Sequence, residues 1–111
     1  MLAQQIAENF SVTPQISVAD VADIAQAGFG QVICNRPDNE EPGQPAAAEI
    51  AQACAAQGIE FYHLPFQGSL PAQFVTEFRA IMDKSSGPTL AYCRSGQRCA
   101  LLWQHAMAAD A

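Results

Sequence analysis

Cys93-Arg94-Ser95-Gly96-Gln97-Arg98 gathers a thiol, two guanidinium groups, a hydroxyl and a glycine into six residues. The apolar run Thr89-Leu90-Ala91-Tyr92 precedes it and an apolar helical pattern follows. A loop between a strand and a helix N-terminus turns successive backbone N–H groups inward, which makes a cradle for an anion. Gly96 permits the backbone angles of that curl, while Ser95 and Gln97 contribute amide donors. The macrodipole of the following helix adds about half a positive charge at the same point. Arginines and helix N-termini bring thiol pKa values down to about 3.5–7.5. Cys93 is therefore expected to be a thiolate nucleophile. Arg98, across the loop, carries a planar fork suited to an oxyanion. Arg94, beside the cysteine, is expected to point outward and steer substrate.

Other residues are weaker candidates. Cys99 is either a small core residue at the start of the last helix or a resolving cysteine for Cys93 under oxidation. Arg36 is a candidate for meeting an anionic substrate, and Asp38 for a substitute proton donor or a turn residue. Glu40 and Glu41, on the same loop, read as solvated. His63, ending the third strand near the site, reads as a satisfied core or rim histidine rather than a catalytic base, and is kept as an accessory candidate. Trp103 and His105 read as structural residues of the last helix, and Cys34 and Cys54 as buried thiols in apolar patterns.

These groups are positioned by alternating strands and helices. Phe10–Thr13 reads as a strand, with its pairing direction open. Ser17, with Asp20 three residues on, opens a helix that Gly28 ends. Gln31–Cys34 is a second strand, followed by a Pro-rich loop to Pro45, where a helix over Ile50 and Cys54 begins and Gly58 closes it. Ile59–Leu64 is a third strand, and a helix with an apolar stripe of Phe74, Val75, Phe78, Ile81 and Met82 starts near Ser69 or Leu70. Thr89–Tyr92 is the fourth strand. The last helix, from Cys99 to Met107, is apolar nearly all round and is expected to be buried on several sides. Such alternation implies an α/β fold, a central mainly parallel sheet of four to five strands flanked by helices. The loops at 35–45, 65–69 and 93–98 should then converge beyond the carboxyl ends of the strands.

The bulk properties narrow the classes. A chain of 111 residues suits one domain, here spanning 1–111. It is 50% hydrophobic and 14% charged, with a net charge of −6. A nucleic-acid partner is not expected, because phosphate backbones demand clustered Lys and Arg. No apolar run approaches the roughly 20 residues of a membrane span, and the N-terminus lacks signal-peptide features, so a cytoplasmic protein with reduced cysteines is expected. No Cys-x-x-Cys pair and no His cluster suggests a metal, and no cofactor is expected.

The string Tyr92-Cys93-Arg94-Ser95-Gly96-Gln97-Arg98-Cys99 resembles the active loop of rhodanese-type sulfurtransferases. From Phe10 to the last helix, the chain resembles the phosphatase-like domain of beta-lactamase hydrolase-like proteins. Ser11-Val12-Thr13-Pro14-Gln15, the loop from Asn35-Arg36-Pro37-Asp38 through Gln44-Pro45, and Cys93–Arg98 carry that resemblance. It implies the fold of tyrosine and dual-specificity phosphatases. It also implies a metallo-beta-lactamase-fold, persulfide-handling enzyme as a partner.

The two resemblances imply different chemistry. Tyrosine phosphatases place five residues between cysteine and arginine, whereas this loop has four, as rhodaneses do. The phosphatase family's general acid is an Asp, and residues 58–68 contain none; Gly68 stands where it would be sought. The expected function is therefore sulfur transfer through a persulfide on Cys93, with a small anionic sulfur donor. The alternative is a cysteine phosphatase acting on a phosphate ester. A third class is a docking module that binds an anion without turnover.

Overall fold

The computed structural model describes residues 3–85 and 87–108. Its strands are β1 (Gln4–Ala7), β2 (Phe10–Thr13), β3 (Gln31–Cys34), β4 (Glu60–His63) and β5 (Thr89–Tyr92). Its helices are α1 (Val21–Gln26), α2 (Ala47–Ala56), α3 (Ala72–Lys84) and α4 (Gln97–Ala108), with a 3-10 turn at Val18–Asp20 leading into α1. The sheet order is β1-β2-β5-β3-β4. β2, β5, β3 and β4 run parallel, and β1 lies antiparallel on β2 at the edge. Phe10–Thr13 is thus an interior parallel strand. β1 was not legible in the sequence: Gln4 and Gln5 are exposed, and four residues without an alternating apolar face give no period-2 signal.

Register makes one row of the strand ends. Thr13 pairs with Tyr92, Tyr92 with Cys34 and Cys34 with His63. Every loop that follows these residues therefore leaves the sheet at one level. Alternation along β5 sorts the two cores. Leu90 and Tyr92 face α1 and α2 with Val32, Cys34, Ile50 and Cys54. Ala91 and Cys93 face α3 and α4 with Phe10, Phe78, Cys99 and Leu102. The nucleophile candidate thus continues the α3/α4 face, while Cys34 lies in the other core.

Two caps fix the α1/α2 layer. Ser17 N–H donates to Asp20 Oδ2 at 2.8 Å, half of a capping box at the 3-10 turn. The Ala47 N–H at the start of α2 donates to Asp38 Oδ1 at 2.8 Å. On the other face, Phe10 stacks on Trp103 at 4.7 Å and meets Phe78 edge-on at 5.4 Å. α4 is buried on one side only. Cys99, Leu102 and Ala106 are buried, whereas Leu101, His105 and Met107 face outward. Leu101, Met107 and Ala108 are apolar yet lie on the exposed face beside Gln104 and His105, so apolar content overstated its burial.

Candidate active site

Cys93 follows the last residue of β5 and sits four residues before α4 begins. Gly96 N–H donates to Cys93 Sγ at 3.0 Å. Gly96 has φ +95°, and a Cβ there would sit 3.6 Å from the Thr13 backbone. The curl therefore needs glycine for its backbone angle, while a Cβ there would make only ordinary contact with β2. Gln15 N–H donates to Arg94 O at 3.4 Å, a second tie between that strand's loop and this one.

The Cys93 thiol is lowered to about 5. The largest cause is a hydrogen bond from the Cys99 thiol. Burial opposes ionisation, and the backbone N–H groups of Cys99, Ser95 and Arg98 favour it. Cys99 itself is pushed well above the ordinary thiol value by burial and by its bond to Cys93. Of the two thiols Cys93 is therefore the acidic one and Cys99 the one that keeps its proton, so Cys93 is the thiolate at neutral pH. Cys34 and Cys54 are raised by burial, Cys54 to about 11.

Arg94 extends into solvent at 69% exposure, with Glu41 Oε2 4.0 Å from its Nη2. The Ser95 hydroxyl accepts from Gln97 N–H at 3.3 Å, and both residues are exposed on the loop's rim. Arg98 is more constrained. Its Nη1 and Nη2 donate to Glu40 Oε2 and Oε1 at 3.0 and 2.9 Å, and Nη1 also donates to Phe66 O at 3.2 Å.

Arg36 is not at the surface. It is 1% exposed, and its Nε, Nη1 and Nη2 donate to Glu40, Gln15 and Glu41 at 2.8, 3.0 and 3.0 Å. An arginine so enclosed stands behind the site and has no open edge for a substrate. Asp38 is likewise committed, to the α2 cap. His63 Nε2 lies 3.0 Å from Arg36 O on the sheet's edge strand, and its ring is exposed. Among the described residues no group of three or more His, Cys, Asp and Glu could hold a metal. A shallow depression lined by Glu8, Asn9, Ser85, Gly87 and Pro88 lies at the amino ends of β2 and β5, away from Cys93.

Glu40 is the residue that sequence reasoning passed over. Read as solvated, it is instead 10% exposed at its side chain and accepts from Arg36, Arg98 and Gln67. Arg98 holds its carboxyl below the usual carboxylate range; burial opposes this and Arg36 adds to it. The i,i+4 spacing of Arg36 and Glu40 was visible. The partnership with Arg98, 58 residues away, had no local signal.

The profile of the family described as "Beta-lactamase hydrolase-like protein, phosphatase-like domain" matches residues 3–110. The chain belongs to this family. The phosphatase-like domain is 32% identical over 104 residues to a beta-lactamase hydrolase-like protein of Agrobacterium fabrum, covering 93% of this chain and 24% of that protein. A Xylella fastidiosa protein of the same description is 27% identical over 99 residues, covering 88% and 23%. The chain thus spans about a quarter of the length of these relatives. The crystal structure of a candidate phosphatase from Neisseria meningitidis superposes with a TM-score of 0.85 at 40% identity, covering 96% of this chain and 76% of that one. The core catalytic domain of the S. cerevisiae PP-IP phosphatase superposes at 0.64 with 15% identity, covering 85% and 56%. At that identity the likeness shows the fold alone, an α/β fold shared with this PP-IP phosphatase. These matches favour the phosphatase side of the sequence reading and lend no support to a rhodanese-type assignment. No helix among the described residues is long and apolar enough to cross a membrane.

Proposed function

We propose that the phosphatase-like domain is a cysteine-dependent phosphatase that works through a phosphocysteine on Cys93. The observation that carries this reading is Cys93 Sγ, buried at the base of a strand-to-helix loop with the Gly96 N–H donating to it at 3.0 Å and its thiol lowered to about 5. A thiolate is the reactive form of cysteine, and the same amides that hold it suit the oxygens of a phosphoryl group in flight. Cys93 Sγ attacks phosphorus, the bond to the leaving oxygen breaks, and water then cleaves the S–P bond and restores the thiolate.

The carboxyl groups around the site do not suit proton donation. Asp38 caps α2 and Glu40 is held ionised by two arginines, while Glu41 accepts from Arg36. The leaving oxygen would take its proton from solvent, so substrates with acidic leaving groups should react best. General-acid assistance is worth about 10²–10⁴-fold, and alkyl phosphates would forgo it.

Sulfur transfer is a second reading, favoured by the four-residue spacing from Cys93 to Arg98 and by the same committed carboxyls. There the thiolate attacks the outer sulfur of thiosulfate, the S–S bond breaks, and sulfite departs without a proton. The curated relatives carry this domain within chains described as beta-lactamase hydrolase-like. A metallo-beta-lactamase-fold hydrolase is accordingly the partner proposed for either reading. Turnover of nitrophenyl phosphate and of thiosulfate with cyanide, measured side by side for wild type and Cys93→Ser, separates the readings. Phosphate release that depends on Cys93 and exceeds thiocyanate formation is expected. The reverse order would hand the assignment to sulfur transfer.

A further inference from the structure

The four donors on Glu40 come from three separate segments. Arg36 follows β3, Gln67 lies on the loop after β4, and Arg98 is in the first turn of α4. Gln67 Nε2 donates at 2.9 Å, so both carboxylate oxygens are shared, and each receives an arginine donor. Ionised carboxylates accept about four hydrogen bonds, so this one is saturated.

The way Glu40 grips Arg98 matters more than the count. The two oxygens meet Nη1 and Nη2, the far end of the guanidinium. Phe66 O takes a second donor from Nη1. Five N–H donors lie on a guanidinium. The two left without a protein acceptor among the described residues are Nε–H and the second hydrogen of Nη2. These two are parallel and lie on one side edge of the plane, the arrangement that accepts an oxyanion bidentately. Two residues before Arg98, the Gly96 N–H donates to Cys93 Sγ at 3.0 Å, and the Arg98 side chain remains 22% exposed.

We propose that Glu40 is a positioning residue that clamps Arg98 end-on, so that its free Nε–Nη2 edge is presented to an oxyanion seated over Cys93. The clamp fixes a long side chain before substrate arrives, which removes an ordering cost from binding. It also ties the edge to the buried Arg36, and so to the sheet. Glu40 touches no substrate in this scheme and acts only through Arg98. The inference rests on the anion-cradle reading shared by the phosphatase and sulfur-transfer proposals, and it deepens both.

The test is sulfate protection of Cys93 against iodoacetamide, for wild type, Glu40→Gln, Arg98→Lys and the double variant. Alkylation without sulfate, followed against pH, reports whether the loop is intact. Glu40→Gln should weaken sulfate protection about tenfold or more, in line with loss of a charge-assisted, oriented pair. Arg98→Lys should do the same, and the double variant should be no weaker than Arg98→Lys alone. The Cys93 thiol should stay strongly lowered in Glu40→Gln, because the largest cause of its shift is the Cys99 thiol and backbone N–H groups of the loop add to it. A simple loss of folding would move that titration; the loss of a clamp leaves it in place. Glu40→Asp retains the charge while shortening the reach, so it carries the same test if Glu40→Gln fails to fold. Sulfate affinity unchanged in Glu40→Gln or Glu40→Asp, or full additivity with Arg98→Lys, would overturn the clamp and leave the cradle standing. Wild-type Cys93 left unprotected by sulfate would overturn the clamp and the proposed function together.

Discussion

At Cys93, the balance between one thiol and another sets the chemistry. The Cys99 thiol is the largest cause of the lowered Cys93 value, ahead of the amides. Cys99→Ala should therefore raise the Cys93 pKa, while Cys99→Ser, which keeps a donor of similar size, should hold it low. Alkylation rate against pH measures both, and equal titrations in the two variants would contradict the assignment. The shift also bears on stability. Cys93 is more acidic folded than unfolded, so its ionisation stabilises the fold above the ordinary thiol range near 9.0, and this contribution declines as pH falls toward about 5. The arginines divide in the same physical way. Arg94 is solvated, and its ion pair is worth about 0–1 kcal/mol, so Arg94→Ala should leave stability nearly unchanged. Arg36 is enclosed with Glu40, while its other partner Glu41 is exposed, and breaking a buried pair costs about 3–5 kcal/mol. Urea unfolding of Arg36→Met against Arg94→Ala checks this, and similar midpoints would contradict the burial argument. Sequence reasoning found Arg36 but aimed it at substrate, because a basic residue in a Pro-rich loop carries no sign of which way it turns.

At the scale of elements, the parallel strands and the helices between them were legible because each carries its own period. Leu90 and Tyr92 against Ala91 and Cys93 sort to two cores, and the α3 stripe buries Phe78 and Ile81. The strand-to-helix turn at 93–98 was legible for a similar reason, since its glycine and its cysteine answer to local geometry. Two features were not. β1 depends on pairing with β2 rather than on its own pattern, and the Glu40–Arg98 bond joins segments that only the closed sheet brings together. The turn yields its own prediction. Gly96→Ala would place a side chain at φ +95° and 3.6 Å from the Thr13 backbone. Backbone strain of this kind costs about 1–3 kcal/mol. The Gly96 N–H would also be displaced from Cys93 Sγ. Lower stability in urea and a higher Cys93 pKa should appear together, and a stable variant with an unchanged titration would show that the curl does not need glycine.

For the whole molecule, the sign of charge decides what the site can be. A net charge of −6 with five Lys and Arg residues leaves little positive surface, and Arg94 and Arg98 place two of the five beside Cys93. Arg36 lies just behind them, and the register that aligns Thr13, Tyr92, Cys34 and His63 brings their loops to one end of the sheet. Glu40 and Glu41 pair with these three arginines, so the donors left for an anion under the proposed function are the loop's N–H groups and the open edge of Arg98. The chain spans about a quarter of the length of its curated relatives. The most direct test of the account is the covalent species on Cys93. Wild-type protein quenched in acid during turnover of nitrophenyl phosphate should carry a phosphoryl group on the peptide containing Cys93, and Cys93→Ser should carry none there. A peptide that never gains phosphorus, while thiosulfate loads Cys93 with a single sulfur atom, would contradict the phosphatase account.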